Sequence, residues 1–479
     1  MSDILIKNGW VFNGRSESIL SRADLLIEKG VITSIENNIP TKGVTQVINA
    51  EGKIISPGFI DLNSQVDSFS LDSPTLESSF LIRQGITTVV VGNTGKSAMR
   101  YLIPKSSGYS SLRSEREGAN QKENLFTKYS QSSPAVNIDS FLGWETIQEW
   151  GIKNALQLKA FFAKSQHKLT GISVEYNSRN QEKVMSDIKE IASFLGQVGG
   201  SLIIYAPDMY ISSDTLSLWG QISLENKVPF IIDNDILGRD KNGENLLEET
   251  QKQNLLGAKI CFMLWPYDFI PIEIDRVITL LENDQLNLKN VVPEFSNSLL
   301  IGSQIPKELK GKTLKEIADN WSLDILETLK RIRELWPSVT LQILIPYTIS
   351  FNWWADKFTY TSLKTELIEG GNIHAPNSLS GFNYFLSKFI SKSSPELWPG
   401  YLAKITSQPA LLAGLPKRGF LQKDYLADIV IINPDTLDAK GDYENPQLEG
   451  KGIETVIIDG HLVWHKGRGW DKGAGKLLI

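Results

Sequence analysis

The chain has 479 residues, 41% of them hydrophobic and 22% charged, with a net charge of −6. That length is enough for a large core in more than one domain, and the acidic balance excludes a broad basic surface for nucleic acid. No run reaches the roughly 18 apolar residues of a membrane span, and the single cysteine, Cys261, excludes an internal disulfide.

The first residues, Met1 to Gly9, lack the basic segment and long apolar core of a secretory leader, so a cytoplasmic protein is expected. Residues 1–54 carry short apolar runs (Ile4-Leu5-Ile6, Leu25-Leu26-Ile27, Val31 to Ile35, Thr45 to Ile48) between Gly, Asn and Asp turns. That spacing predicts a small β-sandwich or sheet. Residues 426–466 repeat the pattern in Leu426 to Ile432 and Val456 to Val463. Neither piece is large enough to close a core alone, so residues 1–54 and 415–479 are expected to form one composite β domain.

Between them, in residues 55–414, apolar strands alternate with helical stretches, the signature of βα units and a parallel sheet. The first strand ends at Asp61, and the next six are centred on Ile86 to Val91, Pro134 to Ile138, Leu169 to Ser173, Ser201 to Tyr205, Pro229 to Asp233 and Lys259 to Trp265. An eighth fits either near Val339 to Pro346 or near Phe358 to Ser362. Eight units over this length predict an α/β fold, a (β/α)8 TIM-type barrel with insertions. Residues 96–133, rich in Ser, Gly, Lys, Glu and Asn without periodicity, read as a flexible surface loop or lid.

Several stretches then carry a resemblance. Pro57-Gly58-Phe59-Ile60-Asp61 followed by Asn63 and Gln65 resembles the first barrel strand of the amidohydrolase superfamily, which presents His-x-His to a metal. Val90-Val91-Gly92-Asn93-Thr94-Gly95, Trp265-Pro266-Tyr267, Gly311 to Ala318, Gly414 to Gly419 and Val456 to Gly460 are similar, in order, to segments of the N-acyl-D-amino-acid deacylases. The resemblance implies a zinc-dependent hydrolase of carbon–nitrogen bonds. It also places Asn63 and Gln65 at the paired histidines, Thr94 at a cysteine ligand and Trp144 at the histidine of a Gly-His segment. Tyr205 and Asn234 fall near the histidines that end strands five and six, and Leu363 at the position of the catalytic aspartate.

None of these side chains replaces an imidazole or thiolate on a transition metal, and the chain has only four histidines, His167, His374, His461 and His465. The residues therefore lead to the expectation of a pseudoenzyme with no metal or other cofactor and no assigned catalytic residue. It would act as a scaffold or regulatory subunit, with a homo-oligomeric or paralogous partner, or as a binder of a small acylated or amino-acid-like ligand. The alternative is an active, metal-independent or atypical hydrolase of carbon–nitrogen bonds. Asp67, Glu175, Asp233, Trp265, Tyr267 and His374 are the candidate pocket residues; no nucleic-acid or membrane partner is expected.

Overall fold

The computed structural model describes residues 3–64, 79–97, 133–162, 169–177, 181–206, 211–234, 246–267, 269–282, 298–301, 306, 309–337, 340–344, 353–356, 360–363, 377–442, 445, 448–469 and 473–478. The chain opens with β1 (Ile4–Val11), β2 (Ser21–Glu28), β3 (Val31–Glu36), β4 (Gln46–Asn49) and β5 (Ile54–Pro57). β1 pairs antiparallel with β2, Leu5 opposite Leu26, and parallel with β5, Trp10 opposite Ile54. The register of β1 shifts between Ile6 and Gly9, the mark of a β-bulge. Glycine is required there, because a Cβ on Gly9 would lie 2.4 Å from Ile55 Cδ1.

The parallel strands follow: β6 (Phe59–Asp61), β7 (Ile86–Val91), β8 (Asn137–Ser140), β9 (Leu142–Gly143), β10 (Gly171–Glu175), β11 (Ser201–Tyr205), β12 (Phe230–Asp233) and β13 (Ile260–Leu264). They form two hydrogen-bonded arcs, β6-β7-β8 and β9-β10-β11-β12-β13, which meet where β8 runs into β9 at Phe141. Residues alternate strictly between two sides, as a pleated strand requires. Ile60, Val90, Ile203, Ile231, Cys261 and Met263 share one apolar interior. Leu202, Ile204, Phe230, Ile232, Ile260 and Phe262 pack outward against helices.

Those helices are amphipathic for the same reason. Gln181–Val198 buries Val184, Ile188, Ile191, Ala192 and Leu195, a stripe at helical spacing. Ser213–Asn226 starts on the side chain of Ser212, which accepts from Thr215 N at 3.1 Å, and stops at Lys227 in the left-handed conformation. Helix Ser407–Leu412 and the residues after it send Ala410, Leu412, Ala413 and Leu415 into the strand interior. They plug its amino end, where Ser201 Oγ donates to Leu412 O.

After β13 the chain makes an inserted unit. β14 (Phe269–Glu273), β15 (Leu299–Ile301) and β16 (Thr340–Leu344) form an antiparallel sheet in the order β14-β16-β15. Trp265, Val277, Leu314, Ile317, Leu329 and Ile332 make a separate core on helices Ile274–Glu282, Leu314–Trp321 and Ile325–Leu335. Of the two places open to an eighth parallel strand, the one near residue 340 is thus β16 of this sheet. β17 (Tyr360–Leu363) instead pairs parallel with β13, Phe262 opposite Thr361.

The terminal sheet is completed by β18 (Ile429–Ile432), β19 (Ile453–Ile458), β20 (His461–His465) and β21 (Arg468–Gly469). β18 lies antiparallel beside β5, so strands from both ends of the sequence share one nine-stranded sheet. Residues 473–478 then return to the parallel array: Ile138 N donates to Lys476 O, and Leu478 N to Ile138 O, both at 2.9 Å. No described helix is long and apolar enough to cross a membrane.

Candidate functional site

The carboxyl ends of the parallel strands bring together Asn63 after β6, Asn93 and Thr94 after β7, Glu175 ending β10, Tyr205 ending β11, and Asp233 and Asn234 at the end of β12. In open and closed α/β folds this end is where ligands bind. Here it is crossed by a chain of side-chain hydrogen bonds. Asn93 Nδ2 donates to Asn63 Oδ1 at 3.0 Å and to Val90 O at 3.3 Å, and Asn63 Nδ2 donates to Asp233 Oδ2 at 3.1 Å. Asn63, Asn93 and Asp233 are all buried.

One atom fixes the direction of the whole chain. Val90 O can only accept, so the Asn93 group facing it is the NH2. The same NH2 reaches Asn63, whose facing atom must be the carbonyl, and the NH2 of Asn63 is thereby turned to Asp233. Asn63 N also donates to Asp61 Oδ1 at 2.9 Å, which holds the residue at the strand end. On the neighbouring strand end, Asn234 Nδ2 donates to Ala206 O at 2.6 Å.

The other side of the face is acidic. Burial, and the nearby Glu145, push the Glu175 carboxyl above its ordinary range, against the opposing pull of Asn177 and Lys96. Asn177 Nδ2 donates to Glu175 Oε1 at 3.4 Å, and Lys96 Nζ stands 3.4 Å from Glu145 Oε2. The turn 92–95 folds tightly here: Gly95 N donates to Ser173 Oγ at 3.1 Å and Ser173 Oγ donates to Gly92 O at 2.6 Å. A Cβ on Gly143 would meet Gly95 O at 2.3 Å, so glycine alone lets the turn close over strand β9.

The remaining sequence candidates lie elsewhere. Trp144 Nε1 donates to Asp187 Oδ2 at 2.9 Å, which turns the ring to helix Gln181–Val198. Trp265 packs in the core of the inserted unit. Tyr267 stacks on Tyr384, ring centroids 4.1 Å apart, with its hydroxyl 3.2 Å from Ser380 Oγ. Gln65, Asp67 and His374, like most of the loop 96–133, lie outside the described residues. Asn93, Ser64 and Glu145 were not singled out by the sequence reading, although Asn93 stands inside the Gly-Asn-Thr-Gly stretch that carries the resemblance.

Among the described residues, a parallel α/β array carries polar residues at its strand ends and stands with a β-sheet built from both termini. Comparison with models of known protein families gives no match. The chain is 21% identical to the N-acyl-D-glutamate deacylase of Alcaligenes xylosoxydans xylosoxydans over 96% of its own length and 93% of the relative's. It is 23% identical to the D-aminoacylase of the same organism over 99% of its length and 97% of the relative's. Among solved structures, the N-acyl-D-glutamate deacylase of Bordetella bronchiseptica, complexed with zinc and a phosphonate inhibitor, matches with a TM-score of 0.73 at 19% identity over 100% of this chain and 99% of that one. D-aminoacylase matches with a TM-score of 0.71 at 21% identity, covering 100% and 99% of the two chains. The resemblance to the D-aminoacylase-like amidohydrolases therefore runs the full length of the chain, and the fold is theirs.

These neighbours correct one expectation. The sequence reading assigned no cofactor, whereas the matching structures hold zinc, were studied with copper, or are described by a binuclear metal centre. Tested on this structure, the strand-end donor set comprises the carboxylates of Asp233 and Glu175 with the amides of Asn63, Asn93 and Asn234. Among the described residues no three His, Cys, Asp or Glu side chains come together. The described residues alone do not fit the metal centre of those relatives, and no step below is routed through a metal.

Proposed function

We propose that the chain is an N-acyl-D-amino-acid deacylase-like protein whose strand-end face binds a small acylated or amino-acid-like ligand without the hydrolytic turnover of its relatives. We read the parallel strands as a closed (β/α)8 barrel, because Ile60 of the first strand and Leu62 just after it share one apolar interior with Tyr360 of the last. The observation that carries the functional reading is the Asn93–Asn63–Asp233 chain. Both polar ends of Asn63 are already engaged, its NH2 on Asp233 and its carbonyl on Asn93. A neutral amide so held neither takes nor gives up a proton near neutral pH, so it cannot serve as a general acid or base. Around it the face keeps what binding needs, a few buried, convergent polar groups above an apolar interior.

A second reading has its own observation. Glu175, held above the usual carboxylate range by burial and by Glu145, has the environment of an acid–base group. It would make the chain an atypical hydrolase of carbon–nitrogen bonds. The two separate in one experiment on the purified full chain, as isolated and after incubation with zinc or copper. Titration calorimetry with N-acetyl-D-glutamate and N-acetyl-D-methionine should show saturable binding, and an amine-release assay on the same samples should show no turnover. Turnover that disappears in Glu175→Gln establishes the second reading instead.

A further inference from the structure

The segment that carries Asn93 and Thr94 is held from two sides. From β10, Ser173 Oγ accepts from Gly95 N at 3.1 Å and donates to Gly92 O at 2.6 Å. From the start of helix Trp144–Glu149, Glu145 N donates to Gly95 O at 3.0 Å. Gly143 N donates to Ser97 Oγ at 3.2 Å, and Ser97 N donates to Thr146 Oγ1 at 3.1 Å. The contact with β10 is close, since a Cβ on Gly95 would lie 3.1 Å from Glu175 N. Residues 92–97 are thus wedged between the end of β10 and the first turn of that helix.

Each of the three pieces brings one charged side chain to this seam. Lys96 Nζ stands 3.4 Å from Glu145 Oε2, and the Glu145 carboxyl is within side-chain hydrogen-bond reach of Glu175. Asn177 Nδ2 reaches Glu175 Oε1 at 3.4 Å, and Tyr205 lies opposite Glu175 in register on β11. An ionised carboxylate can only accept, so a hydrogen bond between two carboxyl groups needs a proton on one of them. Lys96 compensates the charge of Glu145, which leaves the proton to the half-buried Glu175. The upward push on the Glu175 carboxyl from burial and from Glu145 agrees with that placement.

We propose that Glu145 and Glu175 share one proton and so clamp segment 92–97 onto the strand-end face, which loosens there when the proton leaves. With the proton in place, the pair carries one negative charge against the one positive charge of Lys96. Without it, two carboxylates repel each other across the seam that Gly95 fills. A carboxyl raised in the folded chain keeps its proton where a free glutamate has lost it. The clamp is therefore complete at low pH and is lost as pH rises through the raised value. This goes beyond the ligand-binding reading and needs no ligand.

Hydrogen–deuterium exchange of the full chain, followed by mass spectrometry from about pH 4.5 to about pH 8, tests it. After correction for the intrinsic pH dependence of exchange, protection of residues 92–97 should fall at least about threefold as pH rises, while β11 stays protected. Glu145→Gln should abolish that fall, because a glutamine amide donates to an ionised Glu175 with no shared proton. Glu175→Gln should do the same from the other side, with Glu145 accepting. A flat profile in the wild-type chain overturns the inference. So does a wild-type profile retained in Glu145→Gln, since burial alone then governs Glu175. Either result leaves the ligand-binding reading to its own calorimetry.

Discussion

At the scale of single residues, the chain buries a lysine that its sequence gives no reason to bury. Lys404 is 2% exposed, and its Nζ donates to Asp356 O at 2.9 Å. Burial pulls its pKa down to about 8, with Asp356 and Cys261 holding it up against that pull. The unfolded chain has an ordinary lysine, near pH 10.4, so between these values the unfolded state binds more protons and stability rises with pH. The expected gain is about 2 kcal/mol from pH 8 to pH 10, measurable as a rising urea midpoint. Lys404→Met should flatten that rise and raise stability at pH 7 by about 1–2 kcal/mol. The residue scale is also where the sequence was least legible. Asn63 and Asp233 are 170 positions apart, and only the fold reveals that one donates to the other. Trp144 and Trp265 have the size and polarity of pocket residues, yet an aromatic ring at a helix start or just past a strand carries no sign of which neighbour it will pack on.

At the scale of elements, legibility follows burial. β7 and β11 occupy the residues that their apolar runs mark, since strands covered on both faces read as continuous β-branched sequence. The inserted unit after β13 was not legible as a unit. Its strand Thr340–Leu344 has the same apolar character as a barrel strand, and only pairing distinguishes antiparallel β16 from parallel β17. Its helices do announce themselves. Thr313 begins Leu314–Trp321 with a capping box, Thr313 Oγ1 accepting from Glu316 N at 3.2 Å while Glu316 Oε2 accepts from Thr313 N at 2.7 Å. Thr313→Ala should cost about 1 kcal/mol. Because the unit has its own core, the loss is expected as earlier proteolysis within residues 298–337, with the midpoint of the main unfolding transition little changed.

At the scale of the whole molecule, the terminal sheet and the parallel array are tied by one buried ion cluster. Arg418 is paired with Asp428 and, at 3.0 Å, with Asp459. Asn137 Nδ2 at the start of β8 donates to Asp428 Oδ2 at 3.3 Å, and Lys476 Nζ lies 3.3 Å from Asp459 Oδ2. Removing the guanidinium strands two carboxylates in the interior, so Arg418→Met should destabilise the chain by about 3–5 kcal/mol, read from chemical denaturation. The composite nature of the sheet was legible because neither terminal piece could bury its own apolar face. The cluster was not, since nothing in the spacing of Arg418, Asp428 and Asp459 separates a shared buried site from three surface charges.

The return of residues 473–478 to β8 sets a schedule for synthesis. Lys476 N donates to Asn137 Oδ1 at 3.0 Å across a separation of 339 residues. The ribosome delivers β8 soon after its neighbour β7, yet the segment that covers its other edge comes 339 residues later. Until then the β8 edge, with its unpaired N–H and C=O groups, is open to pairing with another nascent chain. The closing contact is also among the most distant in sequence, and such contacts are the slowest to form. This edge therefore depends on residues that emerge long after it, and on whatever guards it in the interval.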